Sequence, residues 1–162
     1  MSDITIEPAR EEDLPAMMAL LEIANMHRIP SAEMPDLDLR CYFVARDGDR
    51  VAGLSGYKIV SPTEGKTQLM VVHPDYRGRG LGIRLQAVRV AAMAAQGVKT
   101  VITKADLPKT ITWYKKHFGY REIGTLAKVH EFGDPDIDHW TTLAMDVAAW
   151  QVGRKKRNAE KG

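Results

Sequence analysis

The chain has 162 residues, of which 44% are hydrophobic and 27% charged, and its formal net charge is +2. This length fits a single domain with one hydrophobic core, and the composition excludes a largely disordered chain. The balanced charge does not indicate nucleic-acid binding, and no apolar run is long enough to predict a membrane span. A single cysteine, Cys41, excludes an intrachain disulfide and a cysteine-based metal site, so we expect a cytoplasmic protein.

Hydrophobic periodicity predicts one domain over residues 1–150, in which strands and helices follow one another in mixed order. Asp13 and Asp106 stand where helix N-terminal caps are typical, and Gly97 and Gly119 stand where helices end. Mixed order of this kind predicts an α/β or α+β sheet covered by helices. The predicted strands begin at Ile4, Tyr42, Val51, Gln68, Val98, Tyr120 and Trp140, and the predicted helices at Asp13, Gly82 and Asp106.

Two segments depart from this pattern. Residues 27–38 contain Pro30 and Pro35 and show no sustained period, which predicts a loop or a broken helix. From Arg154 the chain is a basic run with nothing apolar to bury. Residues 151–162 are therefore predicted to form a basic, flexible, solvated tail.

The stretch that follows the predicted strand ending at His73 is the most informative one. It reads Arg77-Gly78-Arg79-Gly80-Leu81-Gly82 and opens a long helix. Glycines allow unusual dihedral angles and a close approach of the backbone to a ligand. The first amides of a helix lack intrahelical acceptors and carry partial positive charge. The stretch therefore predicts a phosphate or pyrophosphate site, with Arg77 and Arg79 adding full charge, rather than an ordinary turn into a surface helix.

Two common phosphate-binding motifs do not fit this stretch. A P-loop needs Gly-Lys-Ser/Thr, but Gly82 is followed by Ile83, and the dinucleotide fingerprint needs glycine where Ile83 stands. The stretch from Arg77 to Gly82 instead resembles the Arg/Gln-x-x-Gly-x-Gly/Ala signature of the GNAT acyltransferase superfamily, and the approach from Val72 to Tyr76 is also similar. The resemblance implies a GNAT-like fold, a mixed and mostly antiparallel sheet flanked by helices on both faces.

The same resemblance implies an acetyl-CoA-dependent N-acyltransferase with acetyl-CoA as cosubstrate. We expect direct transfer to a primary amine of a small molecule, because Cys41 lies far in sequence from the motif. A protein or peptide acceptor and a non-catalytic acyl-CoA-binding module are the alternatives. A homodimer is a common outcome for such folds, and no nucleic-acid or membrane partner is expected. The implied cofactor-binding residues are Arg77, Gly78, Arg79, Gly80, Leu81 and Gly82 for the pyrophosphate, and Met70, Val71 and Val72 for the pantetheine arm.

A second stretch, residues 110–120, resembles the family's later motif, a helix that ends in an aromatic residue, a spacer, glycine and another aromatic residue. By this resemblance Tyr114 is the candidate acid that protonates the leaving thiolate, although its spacing to Gly119 is one residue longer than usual. A phenol that titrates near about 10 is a suitable partner for a thiol that titrates near about 8.5. Tyr114 also belongs to an apolar stripe with Ile111 and Phe118, so a purely structural role stays open.

The base that deprotonates the amine is not defined by the sequence. A free alkylamine has a pKa of about 10.4 and attacks a thioester only after it loses a proton. The central strand carries Gln68 and Met70 where some relatives place a carboxylate. The acidic connector 133–139 has no spacing that demands a metal, and its carboxylates are expected to face a cationic acceptor or water. The open candidates for the base are a water relay and the side chains of Glu64, His117, His130, Glu131 and His139.

Overall fold

The structure, a computed structural model, describes residues 3–24, 37–129 and 133–161. Most of the segment predicted as a loop, residues 27–38, therefore lies outside the described residues. No helix in the described ranges is both long and apolar enough to cross a membrane. The strands are β1 (Thr5–Pro8), β2 (Tyr42–Asp47), β3 (Arg50–Ile59), β4 (Glu64–Val72), β5 (Thr100–Ala105), β6 (Arg121–Ala127) and β7 (His139–Asp146). The α-helices are α1 (Leu14–Ile23), α2 (Leu81–Ala95), α3 (Pro108–Phe118) and α4 (Val147–Lys161).

The strands form one seven-stranded sheet in the order β1-β2-β3-β4-β5-β7-β6. Every neighbouring pair is antiparallel except β4 and β5, which run parallel. The first four strands lie side by side in chain order, whereas β7 lies between β5 and β6. The prediction of a mixed, mostly antiparallel sheet is confirmed.

The helices cover both faces of this sheet, as the side chains of β4 show. Leu69 and Val71 pack in a core cluster with residues of α1. Met70 and Val72 pack against a second cluster that contains residues of α2. Because successive side chains of a strand point to opposite faces, α1 and α2 lie on opposite sides of the sheet. The expectation of helices on both faces is therefore confirmed.

The chain beyond residue 150 differs from the secondary structure expected of it. Residues 151–161 continue helix α4 rather than leaving regular structure. Trp150 is buried and stacks on Phe118 of α3, with ring centroids 6.2 Å apart. The guanidinium of Arg154 lies 5.1 Å from the ring centroid of Trp150, one turn earlier. The first arginine of the basic run thus packs on a buried tryptophan, because long cationic side chains can cover an aromatic ring.

Smaller differences concern where strands and helices begin. Strand β4 starts at Glu64 rather than at Gln68, because Glu64–Lys66 pair with the first residues of β5. Gly97 and Gly119, with φ of 95° and 68°, follow the ends of α2 and α3 as predicted. Left-handed backbone of this kind is a common way to end a helix.

Candidate active site

The site begins where β4 and β5 separate. The two strands pair only over Glu64–Lys66 and Thr100–Ile102. One residue further along, the hydroxyls of Thr67 and Thr103 share a hydrogen bond. Over residues 68–72 the β5-facing edge of β4 has no strand partner in the described part of the chain. Its backbone N–H and C=O groups are therefore available to an extended ligand.

Strand β4 also bulges at this point. Gly56 of β3 faces two residues of β4, Gln68 and Leu69, where one would pair in a regular ladder. The Nε2 atom of Gln68 is buried and has no hydrogen-bond partner among the described residues. A buried amide donor of this kind costs free energy unless a partner binds it. The bulge therefore places an unsatisfied donor at the cleft.

The glycine-rich stretch Arg77–Gly82, called the anion cradle below, lies between the end of β4 and the start of α2. Gly78 and Gly80 have φ of 80° and 77°, which is left-handed backbone that favours glycine. Gly80 is the helix N-cap, and its carbonyl accepts from the N–H of Arg84 at 3.2 Å. The three N–H groups in between precede the first helical hydrogen bond and can bind an anion.

The two arginines of the cradle are placed differently. Residues 77–80 are all exposed, so the cradle is open to solvent. Arg77 lines the cavity described below. The guanidinium of Arg79 lies 5.0 Å from the ring centroid of Tyr76, whose hydroxyl donates to Asp47 at 2.5 Å. Arg77 thus faces the cavity, whereas Arg79 lies against an aromatic ring beside the cradle.

Gly82 does not have the unusual backbone expected of it. It is a helical residue without positive φ, and a Cβ there would lie 3.5 Å from Trp113, an ordinary contact. Leu81 is buried in the core cluster of α2, so only its backbone belongs to the cradle. The special dihedral angles of the motif are confined to Gly78 and Gly80.

A cavity of about 630 Å³ occupies the cleft between the separated strands. Met70, Arg77 and Tyr114 line it, whereas the side chains of Val71 and Val72 pack into the two core clusters on either side of the sheet. The structure thus brings the end of β4, the cradle arginine and the predicted acid to one cleft. The rest of its described lining comes from the neighbouring residues of β4, the end of α1, the end of β5, the start of α3, the connector that precedes β7 and Trp140 at the start of β7.

Tyr114 is both a core residue and part of the cavity wall. Its side chain is only 6% exposed, and its ring contacts Trp113 and Tyr120 edge-on at 5.0 and 5.1 Å between centroids. Its hydroxyl accepts a hydrogen bond from Nη2 of Arg89 at 3.1 Å. Burial, as the largest cause, raises the pKa of the neighbouring Tyr120 well above the ordinary tyrosine value. Tyr120 therefore stays protonated, and Tyr114 is the tyrosine that reaches the cavity.

Asp106 does not cap α3 as the sequence predicts. The N-cap is Leu107, and the Asp106 carboxylate accepts instead from the Lys128 ammonium at 3.0 Å and from the N–H groups of Asp134 and Leu107 at 2.8 Å. Although burial acts in the opposite direction, these donors hold the pKa of Asp106 below its ordinary value. We call Asp106, Lys128 and Asp134 the connector latch, because they tie the connector before β7 to the end of β5.

The candidates for the base receive no support from the described cavity. Glu64, His117 and His139 do not line it, and His130 and Glu131 lie outside the described residues. Among the residues described, no group of three or more histidine, cysteine, aspartate or glutamate side chains is placed to hold a metal ion. Proton removal by one of the described candidates would therefore have to pass through water.

Cys41 does not line the described cavity. It is half-buried, and burial raises the pKa of its thiol. A thiol with a raised pKa is a poor nucleophile at neutral pH because only the thiolate attacks.

The sequence of the chain matches the family model of the acetyltransferase (GNAT) domain over residues 38–122, just over half of its length. A search of curated protein sequences found no match. Many solved structures have a similar fold. A ribosomal-protein alanine N-acetyltransferase from Escherichia coli has a TM-score of 0.72 and 20% identity, with 90% of this chain and 94% of that chain covered. An N-acetyltransferase from Staphylococcus aureus has a TM-score of 0.70 and 20% identity, with 90% and 99% covered.

A third similar structure is N-acetylglutamate synthase from Neisseria gonorrhoeae in complex with coenzyme A and N-acetyl-glutamate. It has a TM-score of 0.70 and 15% identity, and the similarity covers 91% of this chain and 36% of that one. The acceptors named for these structures include a protein and a small molecule, so the shared fold fits either class.

Proposed function

Because the chain belongs to the GNAT acetyltransferase family, we propose that it moves the acetyl group of acetyl-CoA to the primary amine of a small molecule by direct attack. Acetyl-CoA is the cosubstrate of this acetyltransferase. The observation that carries the proposal is the convergence of three features on one cleft. These are the open anion cradle, the unpartnered edge of β4, and the cavity wall that contains Tyr114.

In this proposal the pyrophosphate of acetyl-CoA binds the cradle. The N–H groups at the start of α2 donate to its oxygens, and Arg77 and Arg79 supply full positive charge. The pantetheine arm pairs with the β5-facing edge of β4 near Met70, where the ladder ends. The thioester then lies beside the β4 bulge, where the Nε2 atom of Gln68 lacks a partner among the described residues.

The reaction follows from this placement. The neutral amine attacks the thioester carbonyl, and backbone N–H groups of the open β4 edge stabilise the oxyanion that forms. When the tetrahedral intermediate collapses, the C–S bond breaks and Tyr114 donates its phenolic proton to the sulfur. Direct transfer is supported by two observations, that Cys41 does not line the described cavity and that the pKa of its thiol is raised.

The acceptor enters from the side of the connector latch. A cavity of about 630 Å³ is of the size that usually holds a small ligand. Asp134 lines it and offers a carboxylate to an incoming ammonium group, which loses its proton to water before attack.

A peptide acceptor is the second candidate, supported by the similarity to the ribosomal-protein alanine acetyltransferase. A cytoplasmic location belongs to the proposal and is supported by the single cysteine.

The test is a panel of amines assayed by thiol release from acetyl-CoA. The panel contains amino acids, amino sugars, polyamines and short peptides with free N-termini, and the Cys41→Ala variant removes background reaction of the thiol reagent. We expect saturable turnover with one class of small amine. Turnover with peptides alone would replace the acceptor class by the second candidate. Tight coenzyme A binding without any turnover would contradict the catalytic proposal and leave only a binding role.

A further inference from the structure

Arg89, on α2, is a buried cation without a carboxylate. It is only 1% exposed, and in the described ranges it takes part in no ion pair. All its hydrogen bonds go to neutral groups. Nη1 donates to the carbonyls of Gly56 and Gln68 at 3.1 and 3.3 Å, Nε donates to Oε1 of Gln86 at 2.6 Å, and Nη2 donates to the Tyr114 hydroxyl at 3.1 Å.

A charge in this position is costly to bury. Burial of a guanidinium without an opposite charge costs free energy, and a well-packed apolar side chain avoids that cost. Arginine also cannot lose its proton to relieve the cost. Arg89 does, however, contact two groups that take part in the proposed reaction. It donates to the Gln68 carbonyl at the β4 bulge and to the phenol oxygen of Tyr114.

The hydrogen bond to Arg89 also fixes the direction of the Tyr114 proton. A guanidinium only donates, so the phenol oxygen is the acceptor of this bond and its own O–H must point elsewhere. Tyr120, the nearest phenol, takes its hydrogen bond from Gln86 at 2.9 Å rather than from Tyr114. Tyr114 also lines the cavity, and in the described ranges its hydroxyl donates to no protein acceptor, so its proton is free to bind a group in the cleft.

We propose that Arg89 is a positioning residue for acetyl transfer, which aims the Tyr114 hydroxyl at the leaving sulfur and offsets the charge left on its oxygen. This inference rests on the proposed function, in which Tyr114 is the acid. As the C–S bond breaks, its electron pair goes to sulfur and the Tyr114 proton follows, which gives coenzyme A thiol and a phenolate beside the guanidinium. The nitrogen, positively charged after the attack, loses a proton to water as the amide forms, and the phenolate regains one proton from water, so no net proton is left over. Through the Gln68 carbonyl, the same side chain holds the bulge beside the thioester.

The experiment is a double-mutant cycle of Arg89→Met and Tyr114→Phe, with the amine identified from the panel as acceptor. We expect Arg89→Met to lower kcat by about 10- to 100-fold and to leave KM for acetyl-CoA within about twofold, since the cradle is untouched. In the Tyr114→Phe background the same substitution should cost less than about twofold, because the group that it positions is gone. Arg121→Met, at an exposed position outside the described cavity lining, is the control and should leave kcat unchanged.

The outcomes separate the two proposals. If Arg89→Met lowers kcat equally in both backgrounds, or raises KM for acetyl-CoA at constant kcat, the positioning role is wrong while the acid role of Tyr114 stands. If Tyr114→Phe leaves kcat unchanged, the acid role fails first. Should Arg89→Met not fold by circular dichroism, Arg89→Lys takes its place in the cycle. Lysine keeps the positive charge but lacks the several N–H donors of the guanidinium. We therefore expect Arg89→Lys to lower kcat less than Arg89→Met does, and to lower it only when Tyr114 is present.

Discussion

The two ends of the cleft, to which we assign the cofactor and the acceptor, are built in different ways. At the cofactor end, the cradle and the open edge of β4 offer mostly backbone groups, together with two exposed arginines. At the acceptor end, the connector latch ties the backbone of Asp134 to the side chain of Asp106, which is 11% exposed, and to that of Lys128, which is only 5% exposed. Its Nζ also lies 4.5 Å from the ring centroid of Trp140. The cofactor end thus depends on backbone conformation, and the acceptor end on a long-range contact between side chains.

The difference matters for how each end tolerates change. Most side-chain substitutions leave the backbone N–H groups in place, so a site built from them can bind the same ligand while the nearby side chains change. A latch of side chains changes shape when any partner changes, which lets the acceptor pocket differ between proteins that share the cofactor end. The contrast predicts that substitutions at the cofactor end affect the binding of acetyl-CoA, and substitutions at the acceptor end affect the amine and stability.

The largest effect is expected at the point where the two ends meet. Tyr114→Phe removes the proposed acid without changing the packing of the ring, and should lower kcat by about 100-fold with little change in either KM. Steady-state kinetics with both substrates provide the measurement. Tyr57→Phe is the matched control, since Tyr57 is also buried and its hydroxyl accepts from Gln96 away from the cavity. An equal loss in both variants would argue against a chemical role for Tyr114.

Next in size is the effect of breaking the latch. Lys128→Met leaves the Asp106 carboxylate buried with only backbone donors, and should lower the free energy of unfolding by about 2 kcal/mol. KM for the amine should rise while KM for acetyl-CoA stays constant. Chemical denaturation and kinetics measure the two effects. Lys115→Met removes an exposed pair with Glu122 and should change stability by less than about 0.5 kcal/mol.

The latch also predicts a pH dependence. The pKa of Asp106 in the folded chain lies below its ordinary value of 3.8. Its stabilising contribution is therefore complete above that value and is lost as the pH falls toward the lower, folded-state pKa. The stability difference between the wild type and Asp106→Asn, measured by denaturation between about pH 6 and pH 3, should shrink at the acidic end. A difference that grows on acidification would contradict the assigned direction.

A smaller effect is expected at the cofactor end. Gly80→Ala places a side chain on left-handed backbone, which costs about 1–2 kcal/mol, and should raise the Kd for coenzyme A about tenfold because the cradle shifts. Isothermal titration calorimetry measures this binding. Gly48→Ala carries the same kind of strain in the turn between β2 and β3, also with open space around its Cβ. It should lose similar stability and bind coenzyme A normally. If Gly80→Ala and Gly48→Ala bind coenzyme A with the same Kd, the cradle does not hold the diphosphate.

The smallest effect is expected at Cys41. Cys41→Ala should leave kcat and both KM values within about twofold of the wild type, because the proposed direct transfer needs no covalent acetyl carrier and Cys41, whose thiol has a raised pKa, does not line the cavity. Complete loss of turnover in a folded variant would overturn direct transfer.

The cofactor end could be predicted from the sequence because its signals are local. Positive φ at Gly78 and Gly80, the helix start at Leu81 and the two arginines all lie within six consecutive residues. The helix that carries Tyr114 ends at Gly119 for an equally local reason. Such features need no knowledge of which strands pair.

The acceptor end and Arg89 could not be predicted in the same way. Asp106 fits a helix cap locally, but a lysine 22 residues later and a backbone amide 28 residues later take its carboxylate. Arg89 contacts Tyr114 across 25 residues. The sequence does contain one indication that Arg89 is buried. Arg89 lies one helical turn from both Leu85 and Met93, on the buried face of α2. A cation on an apolar helix face indicates a buried polar contact, although not its partner.

The position of β7 between β5 and β6 has a consequence for biosynthesis. Strands β2, β3 and β4 can form hairpins in the order in which the ribosome releases them, and β1 can pair with β2 as soon as β2 is released, whereas β5 and β6 have no common partner until His139–Asp146 emerges. Until then two strand edges stand open, and such edges are prone to pair with other chains. The acceptor half of the cleft is thus completed late in translation, and a nascent chain stalled before β7 is the species that chaperones would have to protect.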